Sequence, residues 1–368
     1  MAKAKTLIKG NYALAEATVR AGCKFFAGYP ITPQSEILEY LSHRMEEVGG
    51  SFVQTESELS AISMTYGAAC CGFRVMTSSS GPGYDLYQEG ISYMAAGEIP
   101  VVIIDVVRYG SGLGGITASQ GDYLQLAKNG GHGDYRCVVL APDSAQEAVD
   151  FIPLAFDISE KYRNPVIVAV DGTIGSMIEA VSFPDEIYEH NPNQPWAIQH
   201  HRVPEPGSNR EHKVIANSFY RQMAIKGPKK AFQEYDAHVR NKIAAMKANE
   251  ARYEAFMTDD ADLILVAYGT TSRICKEAVI KAREQGLKLG LIKLQTLWPF
   301  PVEAFKKTNA KGYLAVEMCS SPQMAEDVVY ALRGKAPAYA FPTGKDYPSV
   351  KEVIEEAKKA LDGKLEEE

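Results

Sequence analysis

Cysteine is scarce in this 368-residue sequence. The six present are Cys23, Cys70, Cys71, Cys137, Cys275 and Cys319, and no two of them form a Cys-x-x-Cys pair. Iron–sulfur and structural zinc sites draw on clustered thiolates, so no metal or cluster held by this chain alone is expected, and the thiols read as reduced, mostly buried small hydrophobes. Basic charge is in deficit too. The formal net charge is -7 and no Lys/Arg patch stands out, which argues against a nucleic-acid partner. No stretch approaches an uncharged membrane span, and the opening Met-Ala-Lys-Ala-Lys-Thr-Leu-Ile-Lys-Gly lacks the apolar core of a signal peptide. A cytoplasmic protein without a membrane partner is the expectation.

What the chain does have is a large apolar fraction, 46%, and a length that suits two or three domains. From Leu7 to Asp171 apolar strands alternate with amphipathic helices in the rhythm of a doubly wound parallel α/β domain. The pattern predicts helices over Asn11–Ala21, Gln34–Val48, Ser57–Cys71, Tyr84–Gly97, Gln120–Lys128 and Ser144–Tyr162. Strands fall between them, the most apolar being Pro100–Val107 and Pro165–Val170, as expected of strands covered on both faces. Residues 182–210 are rich in Pro, Asn, His and acids and read as a long surface connection; His200 and His201 there lack partner ligands and read as solvated. A polar helix over Lys229–Phe256 then leads into a second alternation with strands at Asp262–Ala267, Leu289–Leu294 and Tyr313–Glu317 and helices at Ser272–Gln285, Ser321–Leu332 and Ser349–Leu361. The division is therefore 1–181, a connecting segment 182–258 with a polar helix, and a smaller α/β domain 259–368.

Chemistry is concentrated in four loops that follow strands of the first domain. Gly28-Tyr29-Pro30-Ile31-Thr32-Pro33 holds a hydroxyl on a path stiffened by two prolines. Glu58 opens an apolar helix whose Ala61, Gly67, Ala68 and Ala69 permit close approach of a backbone or flat ring, and its carboxylate lies near the positive end of the helix dipole. It is equally readable as a helix-start charge. Ser78-Ser79-Ser80-Gly81-Pro82-Gly83 offers hydroxyls and N–H groups at a helix N-terminus. Arg108 ends the most apolar strand, suited to a two-pronged grip on a carboxylate or to an ion pair with Asp105 or Glu98. Gly110, Gly112 and Gly115 after it match Gly-x-Gly-x-x-Gly, but no helix opens directly behind, so the nicotinamide dehydrogenase this would suggest is a weak reading.

Tyr-Pro-Ile-Thr-Pro, the Glu58 helix, Ser-Gly-Pro-Gly, the Arg108 strand end and Gly-His-Gly-Asp-Tyr-Arg at 131–136 together resemble the alpha subunit of the 2-oxoacid:ferredoxin oxidoreductases, most nearly the branched-chain (2-oxoisovalerate, or 3-methyl-2-oxobutanoate) type. The resemblance runs from about Lys9 to Asp171 and, more loosely, from Asp262 to Leu332. It implies a thiamine diphosphate pyrimidine-binding domain followed by a transketolase C-terminal-like domain, with Leu297-Trp298-Pro299-Phe300-Pro301 in a typical place. By the same resemblance Glu58 is the catalytic, cofactor-activating glutamate; Tyr29, Pro30, Ser80 and Gly81 lie with it at the cofactor; and Thr32 and Arg108 face the substrate carboxylate. The Gly-Asp-Gly motif that binds Mg²⁺ and diphosphate in thiamine enzymes does not occur in the sequence. The resemblance therefore implies a diphosphate-binding beta subunit, a ferredoxin-like subunit carrying iron–sulfur clusters, coenzyme A as acyl acceptor and ferredoxin as electron acceptor. Pyruvate or 2-oxoglutarate as substrate, and a non-catalytic scaffold or ligand-binding protein of the same fold, are the alternatives.

Overall fold

The computed structural model describes residues 5–200, 202–204, 211–213, 227–344 and 346–368. His201, with much of the connecting segment, lies outside them.

Two twisted sheets organise these residues. The first has seven strands. β2 (Phe25–Gly28), β3 (Ser51–Gln54), β4 (Val75–Ser79), β5 (Val101–Val107), β6 (Val138–Leu140) and β7 (Pro165–Asp171) are parallel, in the order β6-β7-β5-β4-β2-β3. β5 and β7 are buried at every position, which accounts for sequences that are apolar but for Asp105 and the terminal Asp171. β1 (Thr6–Lys9) and β8 (Ile178–Val181) form a separate antiparallel pair beside α1 (Gly10–Arg20). Helices α2 (Ser35–Glu47), α3 (Glu58–Cys70), α4 (Pro82–Gly97), α5 (Tyr123–Lys128), α6 (Ala145–Tyr162) and α7 (Gly172–Ser176) complete this half. Five cysteines are buried, Cys71 is exposed, and all six are free thiols.

The second sheet is built on β12 (Leu263–Ala267), β13 (Leu289–Leu294), β15 (Gly312–Glu317) and β16 (Ala338–Pro342), all parallel, flanked by α9 (Gly269–Glu284), α10 (Val302–Lys307), α11 (Met324–Leu332) and α12 (Val350–Leu361). Its edge is β11 (Tyr253–Phe256), antiparallel to β13. The helix expected to reach Phe256 therefore stops early: α8 spans Pro228–Asn249, and the chain turns at Glu250, whose carboxylate is taken by Lys161, Tyr162 and Arg252. Between Arg202–Pro204 (β9) and Glu211–Lys213 (β10) runs a short antiparallel ladder.

The strands do not divide at one point of the chain. β14 (Thr296–Trp298), from the Leu-Trp-Pro-Phe-Pro segment, leaves the second half and pairs antiparallel with β6, closing the edge of the first sheet. Two predicted helices are also shorter than their periodicity. α5 begins only at Tyr123 because residues 119–121 carry bonds between the halves, and α11 begins at Met324 because the buried Glu317 carboxylate takes the N–H groups of Gln323, Met324 and Ala325.

Candidate active site

In the first sheet β3 lies on one side of β2 and β4 on the other, so the chain reverses its direction of winding between β2 and β4. Open α/β sheets hold ligands beyond the carboxyl ends of the strands at such a point. The loops after β2, β3, β4 and β5 are neighbours there, and they are the four loops marked by the sequence.

Glu58 is 6% exposed at the start of α3. Ser57 already caps the helix, its Oγ accepting from Ser60 N–H, while Thr55 Oγ1 donates to Gly28 and Ser57 carbonyls. The cap thus needs no second carboxylate, and none of the hydrogen bonds among the described residues involves that of Glu58. It points at the first turn of α4, where a Cβ on residue 83 would collide with Glu58 Oε1 and Ser79 Oγ; only glycine admits the approach. Beside it the buried hydroxyl of Ser79 has no partner, and neither has that of the next residue, Ser80. An unpaired buried carboxylate and two unpaired hydroxyls carry a desolvation cost that a polar ligand relieves.

Arg108 is buried, and its expected ion pair is not formed. Glu98 is engaged by Lys242 and His238, and Asp105 by no hydrogen bond. Instead Nη1 donates to Thr32 O at 2.9 Å and Nη2 to Leu113 O at 2.7 Å, so one guanidinium ties the loop after β2 to the loop after β5. Nε is buried without a partner and lies 3.0 Å from where a Cβ on Gly81 would stand; Gly81 has φ +47°. Each Nη thus spends one of its two N–H groups on a structural bond, and Nε is buried with its single N–H unpartnered. Thr32 and Pro30 are exposed at the rim with Tyr29, and Gln34, fully buried, bonds Tyr29 O and Ser78 Oγ to hold this rim to β4.

Sequence reading missed the acids beneath. Asp105 interrupts Val-Val-Ile-Ile-Asp-Val-Val, pairs in register with Ser79, and is fully buried with both oxygens unpartnered. Burial, and next the charges of Asp122 and Asp85, push its carboxyl well above the ordinary range. Asp122 is pushed up to about 6 by burial and by Asp85, against the pull of Arg108. The signal was a charge inside a strand otherwise wholly apolar. Gly110, Gly112 and Gly115 open no helix; they belong to a loop closed by Tyr109 N–H to Thr117 O and Gly115 N–H to Tyr109 O.

An α/β sheet with an unpaired carboxylate at the mouth of a close-packed helix, facing buried hydroxyls across a glycine, has the features of a thiamine diphosphate-binding protein. Residues 16–256 match the family model for pyruvate flavodoxin/ferredoxin oxidoreductase, thiamine diphosphate-binding, and residues 261–353 match pyruvate:ferredoxin oxidoreductase core domain II. The chain belongs to this family and is a subunit of a 2-oxoacid:ferredoxin oxidoreductase. It is 46% identical over 330 residues, 89% of its length, to ketoisovalerate oxidoreductase subunit VorB of Methanothermobacter marburgensis, covering 90% of that protein. The 2-oxoglutarate synthase subunit KorA of Methanocaldococcus jannaschii is 39% identical over 84% of the chain and 87% of KorA. Among solved structures, the 2-oxoglutarate:ferredoxin oxidoreductase of Magnetococcus marinus, which has 2-oxoglutarate, coenzyme A and succinyl-CoA bound, superposes with TM-score 0.82 at 22% identity, over 98% of this chain and 66% of that one, a likeness of fold. Among the described residues no helix is long and apolar enough to cross a membrane.

Proposed function

We propose that this chain supplies the pyrimidine half of a split thiamine diphosphate site, in an enzyme that oxidatively decarboxylates 3-methyl-2-oxobutanoate to the acyl-CoA. The unit 1–181 carries that half-site, and residues 182–258 join it to the transketolase C-terminal-like unit 259–368. The observation that carries the reading is the Glu58 carboxylate, buried, not needed as a cap, and aimed past Gly83 at unpaired hydroxyls.

When bound, thiamine diphosphate supplies the nucleophile for the 2-oxo group and the sink for the electrons released by decarboxylation. Glu58 is the catalytic residue of this chain: it would bond the aminopyrimidine and exchange a proton there. Ser80 and Gly81, with Tyr29 and Pro30 opposite, flank the ring. Arg108, through its unpartnered Nε, and the Thr32 hydroxyl offer donors to the substrate carboxylate, and the two Nη bonds hold both loops in position. Gly-Asp-Gly does not occur in the sequence, which supports placing Mg²⁺ and the diphosphate on a beta subunit. The scattered cysteines support placing the iron–sulfur clusters on a ferredoxin-like subunit that passes electrons to ferredoxin. The greater identity to the ketoisovalerate subunit than to the 2-oxoglutarate one supports the branched-chain acid.

Co-purification from cells with its partner subunits tests this. The complex is expected to retain thiamine diphosphate and to reduce ferredoxin with 3-methyl-2-oxobutanoate and coenzyme A, whereas the chain alone, given cofactor, Mg²⁺ and an artificial acceptor, turns nothing over. Turnover by the isolated chain refutes the split site, and preference of the complex for 2-oxoglutarate or pyruvate refutes the substrate.

A further inference from the structure

The loop after β5 presents an oddity that the cofactor half-site does not use. Leu113, 82% exposed, is the most exposed large hydrophobic side chain among the described residues, and Ile116, three residues on, is 65% exposed. Exposed aliphatic side chains of this size forgo the stabilisation that burial gives, and a loose loop would turn them inward. This loop is not loose. It is closed by Tyr109 N–H to Thr117 O at 2.9 Å and Gly115 N–H to Tyr109 O at 2.7 Å, bridged from Arg108 to Ala118, and bonded through Tyr109 OH to Ser320 Oγ at 3.3 Å.

The loop also stands beside the site. Arg108 Nη2 bonds Leu113 O, while the same guanidinium's Nε lies 3.0 Å from the Cβ position of Gly81, two residues before Gly83, against which Glu58 rests. Its Nη1 bonds Thr32 O in the loop that carries Tyr29, 38% exposed. So one cation with an unused N–H sits between two apolar rims. Residues 109–118, Tyr-Gly-Ser-Gly-Leu-Gly-Gly-Ile-Thr-Ala, contain no charged side chain.

Resting on the reading of this pocket as a 2-oxoacid site, we propose that Leu113 and Ile116 are its specificity wall, closing on an aliphatic substrate side chain and rejecting a second carboxylate. A monocarboxylic 2-oxoacid has a charged end for Arg108 and an apolar tail for the wall. A dicarboxylic one would lay its distal carboxylate on two aliphatic side chains without a counter-charge, in exchange for its hydration, which is unfavourable. Arg108 is a positioning residue for the wall as well as a donor to the substrate.

The test uses the assembled enzyme and compares kcat/KM for 3-methyl-2-oxobutanoate, pyruvate and 2-oxoglutarate in the wild type, in Leu113→Ala/Ile116→Ala and in Leu113→Arg. Removing the wall is expected to lower the branched-chain value relative to pyruvate by about 10–100-fold, since hydrophobic pockets discriminate a methylene by about 10–200-fold. Leu113→Arg is expected to raise 2-oxoglutarate relative to 3-methyl-2-oxobutanoate by about 10-fold or more. If the wild type prefers the branched-chain acid but the substrate ratios do not move in the variants, the wall is wrong and the proposed function stands. A uniform fall for all three substrates, with the subunits separating in gel filtration, assigns the loop to a subunit contact and also overturns the wall. A wild type that prefers 2-oxoglutarate overturns both.

Discussion

At the scale of single residues, the site is defined by groups the fold leaves unpaired. Glu58 is surrounded by neighbours that do not bond it, so Glu58→Gln, which keeps shape and loses acid–base function, is expected to cut turnover of the assembled enzyme about 10²–10⁴-fold. Thermal stability of the chain, followed by circular dichroism, should hardly change, because Ser57 retains the cap. Asp122 shows the opposite balance. Its carboxyl titrates at about 6 in the folded protein against an ordinary value of 3.8, owing to burial and then Asp85. A raised folded value means that Asp122 favours folding at low pH and that this contribution is lost as pH rises from about 4 through about 6. Asp122→Asn should therefore stabilise the chain above pH 6, by about 1–3 kcal/mol, and flatten the pH 4–6 stretch of its stability curve. Denaturant melts at pH 4.5 and 7.5 measure this. Equal shifts at both pH values would show that the carboxyl ionises as it does in the unfolded chain.

At the scale of elements, the two sheets meet their ends differently. In the first, the crevice between the β2 and β4 ends holds unpaired groups. In the second, the matching places are filled by the protein's own carboxylates. Asp171, at the end of β7, accepts from Thr270 N–H and Thr270 Oγ1, both at 2.7 Å, at the start of α9, and also caps α7 through Thr173 and Ile174 N–H. Glu317 fills the start of α11 in the same way. A helix N-terminus already holding a carboxylate offers no anion site, and these two carboxylates tie strand ends to helix starts. Asp171→Ala leaves buried N–H groups without partners and is expected to destabilise the chain by about 2–4 kcal/mol. Hydrogen exchange should then rise first at α7 and α9. Protection lost only in other elements would mean that this carboxylate does not join the halves.

At the scale of the whole molecule, the halves are interlocked. β14 crosses into the first sheet, Gln120 bonds Tyr268 O at 2.8 Å and Met318 N–H at 3.0 Å, and Tyr123 OH bonds Asp327 at 2.6 Å. Bonds of this kind couple the stabilities of the parts they join, so a single calorimetric transition is expected in spite of the two sheets. Two resolved transitions would show that the sheets unfold independently. The same rigidity suits the chain to the half-site role proposed for it, since the rim formed by Tyr29, Thr32, Arg108 and Leu113 is held from below by Gln34 and from behind by the second half.

The α/β alternation, the fully buried strands and the four chemical loops were legible in the sequence, because period and turn chemistry are local properties and each loop directly follows its strand. The place of Glu58 at the start of a helix was legible for the same reason. Local signals stop at contacts made between distant segments. Nothing near Thr296 says that it will pair with β6, and nothing near Phe256 says that β13 will draw residues 253–256 out of a helix. Arg108 reads as a free clamp until Thr32 O and Leu113 O are brought to it across 76 and 5 residues, and Asp105 reads as a partner for it until β4 covers the carboxyl with Ser79. Sequence by itself determined which side chains stand at the carboxyl edge of the first sheet. The tertiary structure decided which of their polar atoms are already spent and which remain for a ligand, because hydrogen-bond satisfaction depends on every segment that packs against a group and not on the residues beside it in the chain.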